Sequence, residues 1–205
     1  MLSFWERESF VDYDFVVLGG GIVGLSTALE LRERSDTATV AVIERGVFPS
    51  GASTKNAGFA CFGSLTEVLS DLNKMSDEEV FHLVKRRWDG LNLLRQRLGD
   101  KTIDYLNHGG YELLRSEEEL AALEEIDRVN QLLQPLFKQN VYERRDEAIG
   151  DLGFDPGTVK ALVFNPFEGQ IHTGKMMKAL QRMAMSQGID LITGTEAMGF
   201  EERGG

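Results

Sequence analysis

Along the first forty-five residues the spacing of apolar positions changes twice. Phe15-Val16-Val17-Leu18 is an unbroken apolar run of strand length. After Gly19-Gly20-Gly21 the apolar residues Leu25, Ala28, Leu29 and Leu31 fall on one helical face, and Val40-Ala41-Val42-Ile43 is again continuous, closing on Glu44. Continuous apolar strands are buried on both faces, so this pattern predicts a β-α-β unit of a parallel sheet with the helix laid across it. The segment 46–58, Gly46 through Gly58, breaks the rhythm: small, polar and glycine-rich, it reads as a loop with many hydrogen-bond donors, suited either to lining a ligand or to an ordinary surface turn.

Beyond that loop, Ser76 and Glu79 form a capping-box pair. Val80, Phe81, Val84, Trp88, Leu91, Leu94 and Leu98 continue from it as one stripe, predicting a long amphipathic helix in which Phe81 and Trp88 are core residues. Tyr111–Leu114 and Lys160–Phe164 read as strands. Ser116 with Glu119 caps a helix expected to stop before Pro135, and Asp155-Pro156-Gly157 is a turn. A further helix over Lys175–Gln187 ends at Gly188, and Ile189–Ile192 is a short strand able to rejoin the first sheet beside the second strand. The middle of the chain is therefore an α+β insertion. The expected division is 1–62 plus 170–205 for the α/β domain, discontinuous in sequence, and 63–169 for the inserted domain.

The 205 residues, 42% hydrophobic, suffice for a real core. A formal charge of −11 argues against nucleic acid or an anionic membrane surface as partner. Lys85-Arg86-Arg87, the one basic cluster, falls within the long helix and reads as its solvated face. Cys61 has no second cysteine to pair with, which fits a reducing compartment, and no segment approaches the length of a membrane span. A cytoplasmic protein without a membrane span is the expectation.

The chemistry lies in the first turn. Gly19-x-Gly21-x-x-Gly24 stands between a strand and a helix, where the glycines permit a tight turn, close approach of a pyrophosphate and close helix–strand packing. The amides at the helix start face the phosphates. Glu44 ends the second strand about twenty residues on, where its carboxylate accepts hydrogen bonds from a ribose and repels a 2′-phosphate. A glycine-rich turn with a surface glutamate is the alternative, and it needs several coincidences.

These segments, in this order, resemble the D-amino acid oxidase-like superfamily of FAD-dependent oxidoreductases, with its glycine and sarcosine oxidases and 2-hydroxyglutarate oxidases. The resemblance rests on Gly19, Gly21, Gly24 and Glu44, on the loop Gly51-Ala52-Ser53-Thr54-Lys55-Asn56-Ala57-Gly58, on the insertion, and on Gly188–Ile192 followed by Thr195-Glu196-Ala197. It implies a Rossmann-like FAD-binding domain with an incomplete parallel sheet and an inserted α+β substrate domain. It also implies FAD contacts at Gly19, Gly20, Gly21, Ile22, Val23, Gly24, Glu44, Arg45, Ser53, Thr54, Asn56, Ala57 and, through its backbone, Ala197. Members of the superfamily continue past the point matching Gly205 through a hairpin, whose turn Glu201–Gly205 resembles, and through further strands. The expectation is therefore an amino-terminal half whose first strand has a neighbour on one side only, prone to self-association or to pairing with a complementing chain.

The activity implied is hydride transfer from the C–N or C–OH bond of a small amino or hydroxy acid to flavin N5, amines being slightly favoured. A catalytically incomplete dinucleotide-binding fragment, or half of a split flavoprotein, is the alternative. No catalytic side chain is assigned. His172, before the last helix, reads as a loop histidine bonded to backbone, Tyr111 as a packed strand residue, and Cys61 as a small buried one. His82, His108 and His172 share no metal-ligand spacing, and no metal is expected.

Overall fold

The structure, a computed structural model, describes residues 3–202. In chain order the helices are α1 (Phe4–Phe10), α2 (Ile22–Arg34), α3 (Leu65–Leu72), α4 (Asp77–Leu98), α5 (Asp100–Ile103), α6 (Glu117–Leu120), α7 (Ile126–Phe137), α8 (Ala148–Asp151) and α9 (Thr173–Ser186), with a 3-10 turn at Ala121–Glu125. The strands are β1 (Phe15–Leu18), β2 (Val40–Glu44), β3 (Phe59–Ala60), β4 (Gly110–Leu114), β5 (Glu143–Arg144), β6 (Ala161–Asn165), β7 (Gly169–Gln170) and β8 (Asp190–Thr193). They fall into two units, one made of the chain up to Ala57 together with the chain from His172 onward, the other of Gly58–Ile171.

The first unit holds a parallel sheet in the order β1-β2-β8. Phe15 pairs with Val40 and Leu18 with Ile43, while Ala41 pairs with Asp190 and Glu44 with Thr193. The strand predicted at Ile189–Ile192 thus joins the sheet beside β2, one residue later than expected. Helix α2 packs on β1, β2 and α9, and buries Leu25, Ala28 and Leu29 completely. Its length follows from that face and from its end. The Arg32 guanidinium donates to the carbonyls of Ser35 and Ala38 in the turn that follows, and to that of Gln187 at the end of α9, tying the two helix ends together. Asp14 fastens the entry of β1 to that of β2 by accepting from both the amide (2.8 Å) and the hydroxyl (2.9 Å) of Thr39. Strand β1 is the sheet edge, and Phe15, Val16 and Leu18 expose 42%, 49% and 64% of their surface among the described residues. The turn anticipated at Glu201–Gly205 lies partly outside the described residues.

The second unit places helices α3, α4 and α7 against one face of the antiparallel sheet β4-β6-β5. Its core joins Leu65 and Val68 of α3, Val80 and Val84 of α4, Val129, Leu133 and Phe137 of α7, and Leu114 and Val163 of the sheet. Phe62, Trp88, Phe137 and Phe167 form a ring cluster with centroids 4.5–5.8 Å apart, and Phe81 packs on the same core. Asn130, nearly fully buried in α7, is a fastener: its amide donates to Tyr142 O and accepts from the amides of Val141 and Tyr142, each at 2.9 Å.

Two sequence expectations change here, and a third is extended. The helix after Ser116 begins as the single turn α6, passes through the 3-10 turn and continues as α7 through Pro135 to Phe137. Pro135 falls in the last turn, where only one intrahelical bond is forfeited, and burial of Leu133 and Phe137 carries the helix past it. Arg87 is not part of a purely solvated face, because it donates to Phe62 O and pairs with Asp71 of α3 at 3.4 Å. Capping boxes occur at Ser3 and Ser64 as well as at the anticipated Ser76 and Ser116, each with a glutamate three residues on.

Candidate functional site

In the first unit the chain leaves β1 at Gly19, whose φ of +100° turns it sharply, and enters α2 from Gly21 in an extended conformation. At Gly24 a side chain would overlap the carbonyl oxygen of Gly19, so only glycine lets α2 lie this close to the end of β1. The amides that open α2 have no side-chain cap from Gly21. Among the described residues, Ile22 N–H finds the Ser53 hydroxyl at 3.0 Å, and neither Val23 N–H nor Gly24 N–H has an acceptor. A short turn with outward amides at a helix start is the geometry that accepts phosphate.

Glu44, at the C-terminal end of β2, carries both carboxylate oxygens into this turn. One accepts from Gly20 N–H and the other from Gly46 N–H, each at 2.9 Å. The side chain is therefore oriented before any ligand arrives, leaving its remaining lone pairs for hydroxyl donors. Thr195 N–H and Gly194 N–H bond to the carbonyls of Glu44 and Gly46, which brings the segment after β8 alongside. Ala197, two residues on, is exposed, as are Arg45 and Ala57.

The loop after Glu44 is shaped from within. Thr54 donates its hydroxyl to Pro49 O at 3.0 Å, and Asn56 donates its amide to the carbonyls of Ala52 and Ser53 at 2.9 and 3.2 Å. Thr54 and Asn56 thus hold the loop's curvature, and Ser53 is the loop side chain that reaches the α2 amides. The donor set fits an adenine dinucleotide: outward amides for a pyrophosphate, and a fixed carboxylate for a ribose.

A second polar site lies wholly within the other unit. A cavity of about 220 Å³ is lined by Ser64, Tyr111, Glu112, Tyr142, Asn165 and Glu168, among others. Glu112 is richly satisfied there, accepting from Ser64 Oγ at 2.9 Å, from Thr66 N–H at 3.4 Å and from the Thr66 hydroxyl. Glu168 accepts from Asn165 Nδ2 at 3.3 Å, and its side chain folds over Gly110, where any Cβ would collide with it. Burial pushes its carboxyl up to about 7, with Glu112 and Glu67 adding to the rise against the opposing Asn165 bond. The Tyr142 hydroxyl donates to Gly63 O at 2.6 Å, and burial raises it well above the usual tyrosine value.

Sequence periodicity places Glu112 on a strand and says nothing of Glu168, because the pairing of the two arises from the turn between β6 and β7. Cys61 is exposed, against the expectation of burial. Partial desolvation of its thiol, followed by Glu168 and Glu67, raises its pKa and keeps it from being an activated nucleophile. His172 Nδ1 accepts from Lys175 N–H at 3.3 Å as the cap of α9, the backbone-bonded role expected of it. Tyr111 packs its ring on Phe164 at 4.8 Å and remains partly exposed.

Known proteins carry the same fold. Glycine oxidase from Geobacillus kaustophilus is 25% identical with a TM-score of 0.62, over 90% of this chain and 47% of its own. L-proline dehydrogenase from P. horikoshii is 24% identical with a TM-score of 0.65, over 93% and 46%. L-alpha-glycerophosphate oxidase from Mycoplasma pneumoniae, solved with FAD bound, is 18% identical with a TM-score of 0.66, over 91% and 46%. The chain thus spans about half the length of these solved relatives. No curated protein matches the sequence significantly. The family model described as FAD dependent oxidoreductase (DAO) matches residues 14–205, beginning one residue before β1 and running through the glycine turn, Glu44 and β8, so the chain belongs to the FAD-dependent oxidoreductase family of the DAO type.

Proposed function

We propose that this chain binds FAD on its first unit and contributes to an oxidoreductase acting on the C–N or C–OH bond of a small amino or hydroxy acid. The observation that carries the reading is the pairing of the Glu44 carboxylate with the amides of Gly20 and Gly46, beside the open start of α2. Bound flavin supplies the hydride acceptor, at N5. The chain's own part is to bind and orient. The amides of Ile22, Val23 and Gly24 donate to the pyrophosphate, and Glu44 accepts from the ribose hydroxyls. The loop 51–58, its curvature held by Thr54 and Asn56, would flank the pyrophosphate, and Arg45 and the backbone at Ala197 would border the adenosine.

The unit Gly58–Ile171 serves as the substrate domain. Amino acids are favoured over hydroxy acids as substrates, since glycine oxidase is the relative with the highest of the quoted identities. Competition between FAD and NAD, followed by calorimetry, tests the cofactor. Tighter binding of FAD is expected, and tighter binding of NAD refutes the assignment. Oxygen uptake or dye reduction with a panel of amino and hydroxy acids then tests the reaction.

A further inference from the structure

Gly46 is constrained through its amide, its carbonyl and the space beside its Cα. Its N–H donates to Glu44 Oε1 at 2.9 Å, and its carbonyl accepts at 3.0 Å from the N–H of Gly194, the first residue after β8. A Cβ built on Gly46 would stand 2.6 Å from Phe48 O and 3.3 Å from Glu44 Oε1, so the turn after β2 has room for hydrogen and not for a methyl group. The chain thus folds back at once on the side chain that ends the strand.

The other carboxylate oxygen is held from a different strand. Glu44 Oε2 accepts from Gly20 N–H at 2.9 Å, in the turn that follows β1. One amide bond alone would leave the carboxylate free to swing about it, whereas two amides on opposite oxygens fix both its position and its plane. A glutamate side chain has much rotamer freedom to lose, and a group held in advance is spared that loss on binding. Each oxygen keeps a lone pair beyond the one its amide takes, and the two together match a pair of neighbouring hydroxyls rather than a single one.

We infer that Gly46 is a positioning residue for sugar recognition: by holding Oε1 with its amide, and by placing no side chain between that oxygen and Phe48 O, it sets Glu44 to take both hydroxyls of a ribose and to discriminate against a 2′-deoxyribose. The inference rests on the reading of Glu44 as the ribose acceptor, and it gives Gly46 a part that the glycine pattern of the first turn does not contain. Gly46 acts through Glu44 and need touch no ligand itself. An alanine methyl there presses on Oε1 directly and, through Phe48 O, on the turn that aims the Gly46 amide.

The test uses the full chain, titrated calorimetrically with ADP and with 2′-deoxy-ADP. Adenine and pyrophosphate are common to the two, so the ratio of their affinities reports the sugar contact alone. The parent is expected to bind ADP about tenfold or more tighter, as for one charge-assisted hydrogen bond. Gly46→Ala should bring the ratio to within about threefold, chiefly by weakening ADP. Val47→Ala, at a neighbouring side chain exposed to solvent, is the control and should keep the ratio of the parent. A merely structural role for Gly46 would weaken both nucleotides alike and leave the ratio at its parental value, and that result overturns the proposal.

Hydrogen exchange at the Gly46 amide decides the matter if Gly46→Ala does not fold. Exchange there should be about fivefold or more slower in the parent than in Glu44→Ala, and equal rates overturn the proposal as well. A parent that binds ADP and 2′-deoxy-ADP equally refutes the ribose reading of Glu44, and a parent that binds neither refutes the dinucleotide reading. Both differ from a parent that discriminates beside a Gly46→Ala variant that discriminates equally.

Discussion

Glu168 gives the second unit a pH dependence opposite to that of ordinary acid unfolding. Its carboxyl rises from the usual 4.5 to about 7 because folding buries it beside Glu112 and Glu67 with one amide donor in return. Between those values the folded chain holds a proton that the unfolded chain has released. The stability contributed by this protonated group is complete below pH 4.5 and is lost as pH rises through 7. The interval corresponds to about 3.4 kcal/mol, and screening of a half-buried carboxyl reduces it to about 2 kcal/mol.

Glu168→Gln keeps the volume and the acceptor for Asn165 but cannot ionise. At pH 8 the variant is therefore expected to be about 2 kcal/mol more stable than the parent, and at pH 4.5 equal to it within a few tenths of a kcal/mol. Urea unfolding followed by Trp88 emission, with Trp5 of α1 replaced by Phe in both proteins, reads the second unit, since Trp88 packs on Phe62, Phe137 and Phe167. Carboxylates held low, such as Asp14, Glu79 and Asp155, lose their contributions as pH falls, but they are common to both proteins and cancel in the difference. A difference between variant and parent that is the same at both pH values refutes the assignment.

Other changes separate binding from folding. Gly21→Val puts a branched side chain against Ser53 Oγ and into the approach of the pyrophosphate, so calorimetry should find ADP binding nearly abolished while far-ultraviolet circular dichroism keeps its helical signal. Glu44→Ala removes the proposed ribose acceptor and leaves the Gly20 and Gly46 amides without it, and at about 1.5 to 3 kcal/mol for a charge-assisted bond the affinity for FAD should fall about tenfold or more. Asn130→Ala strands two amides and a carbonyl in the core of the second unit and should lower its unfolding free energy by about 3 kcal/mol, measured by urea titration, with FAD binding to the first unit unaffected.

Much of the first unit is legible in the sequence because its signals are local and agree with one another. The apolar runs 15–18 and 40–43, the glycine turn and Glu44 each carry a separate physical requirement, and the sheet order β1-β2-β8 follows once a third strand is recognised. Ser76 and Ser116 are readable as caps because their glutamates stand three residues on. The capping at Ser53 has no such signature, as its partner is 31 residues away and set by the path of a loop. Pro135 shows the limit of a local rule, since burial of Phe137 outweighs one lost backbone bond in a final turn. The Glu112–Glu168 cavity is invisible to periodicity for a related reason: strand register determines which residues share a face, but the turn between β6 and β7 determines what folds back over Gly110.

The pairing of Ala41 with Asp190 also has a consequence for biosynthesis. Between those two residues lies the whole of the second unit, whose sheets pair strands drawn from Gly58–Ile171. As the chain emerges from the ribosome, β1, α2 and β2 appear first but wait for β8, while the insertion becomes complete and can fold before its host. Closure of the parallel sheet is then a late, long-range event, with an already folded insertion in place of a floppy loop shortening the search between strand ends. Mutations that weaken the insertion, such as those at Asn130 or in the Trp88 cluster, would accordingly lower the yield of native protein during translation by slowing assembly of a sheet to which they do not belong.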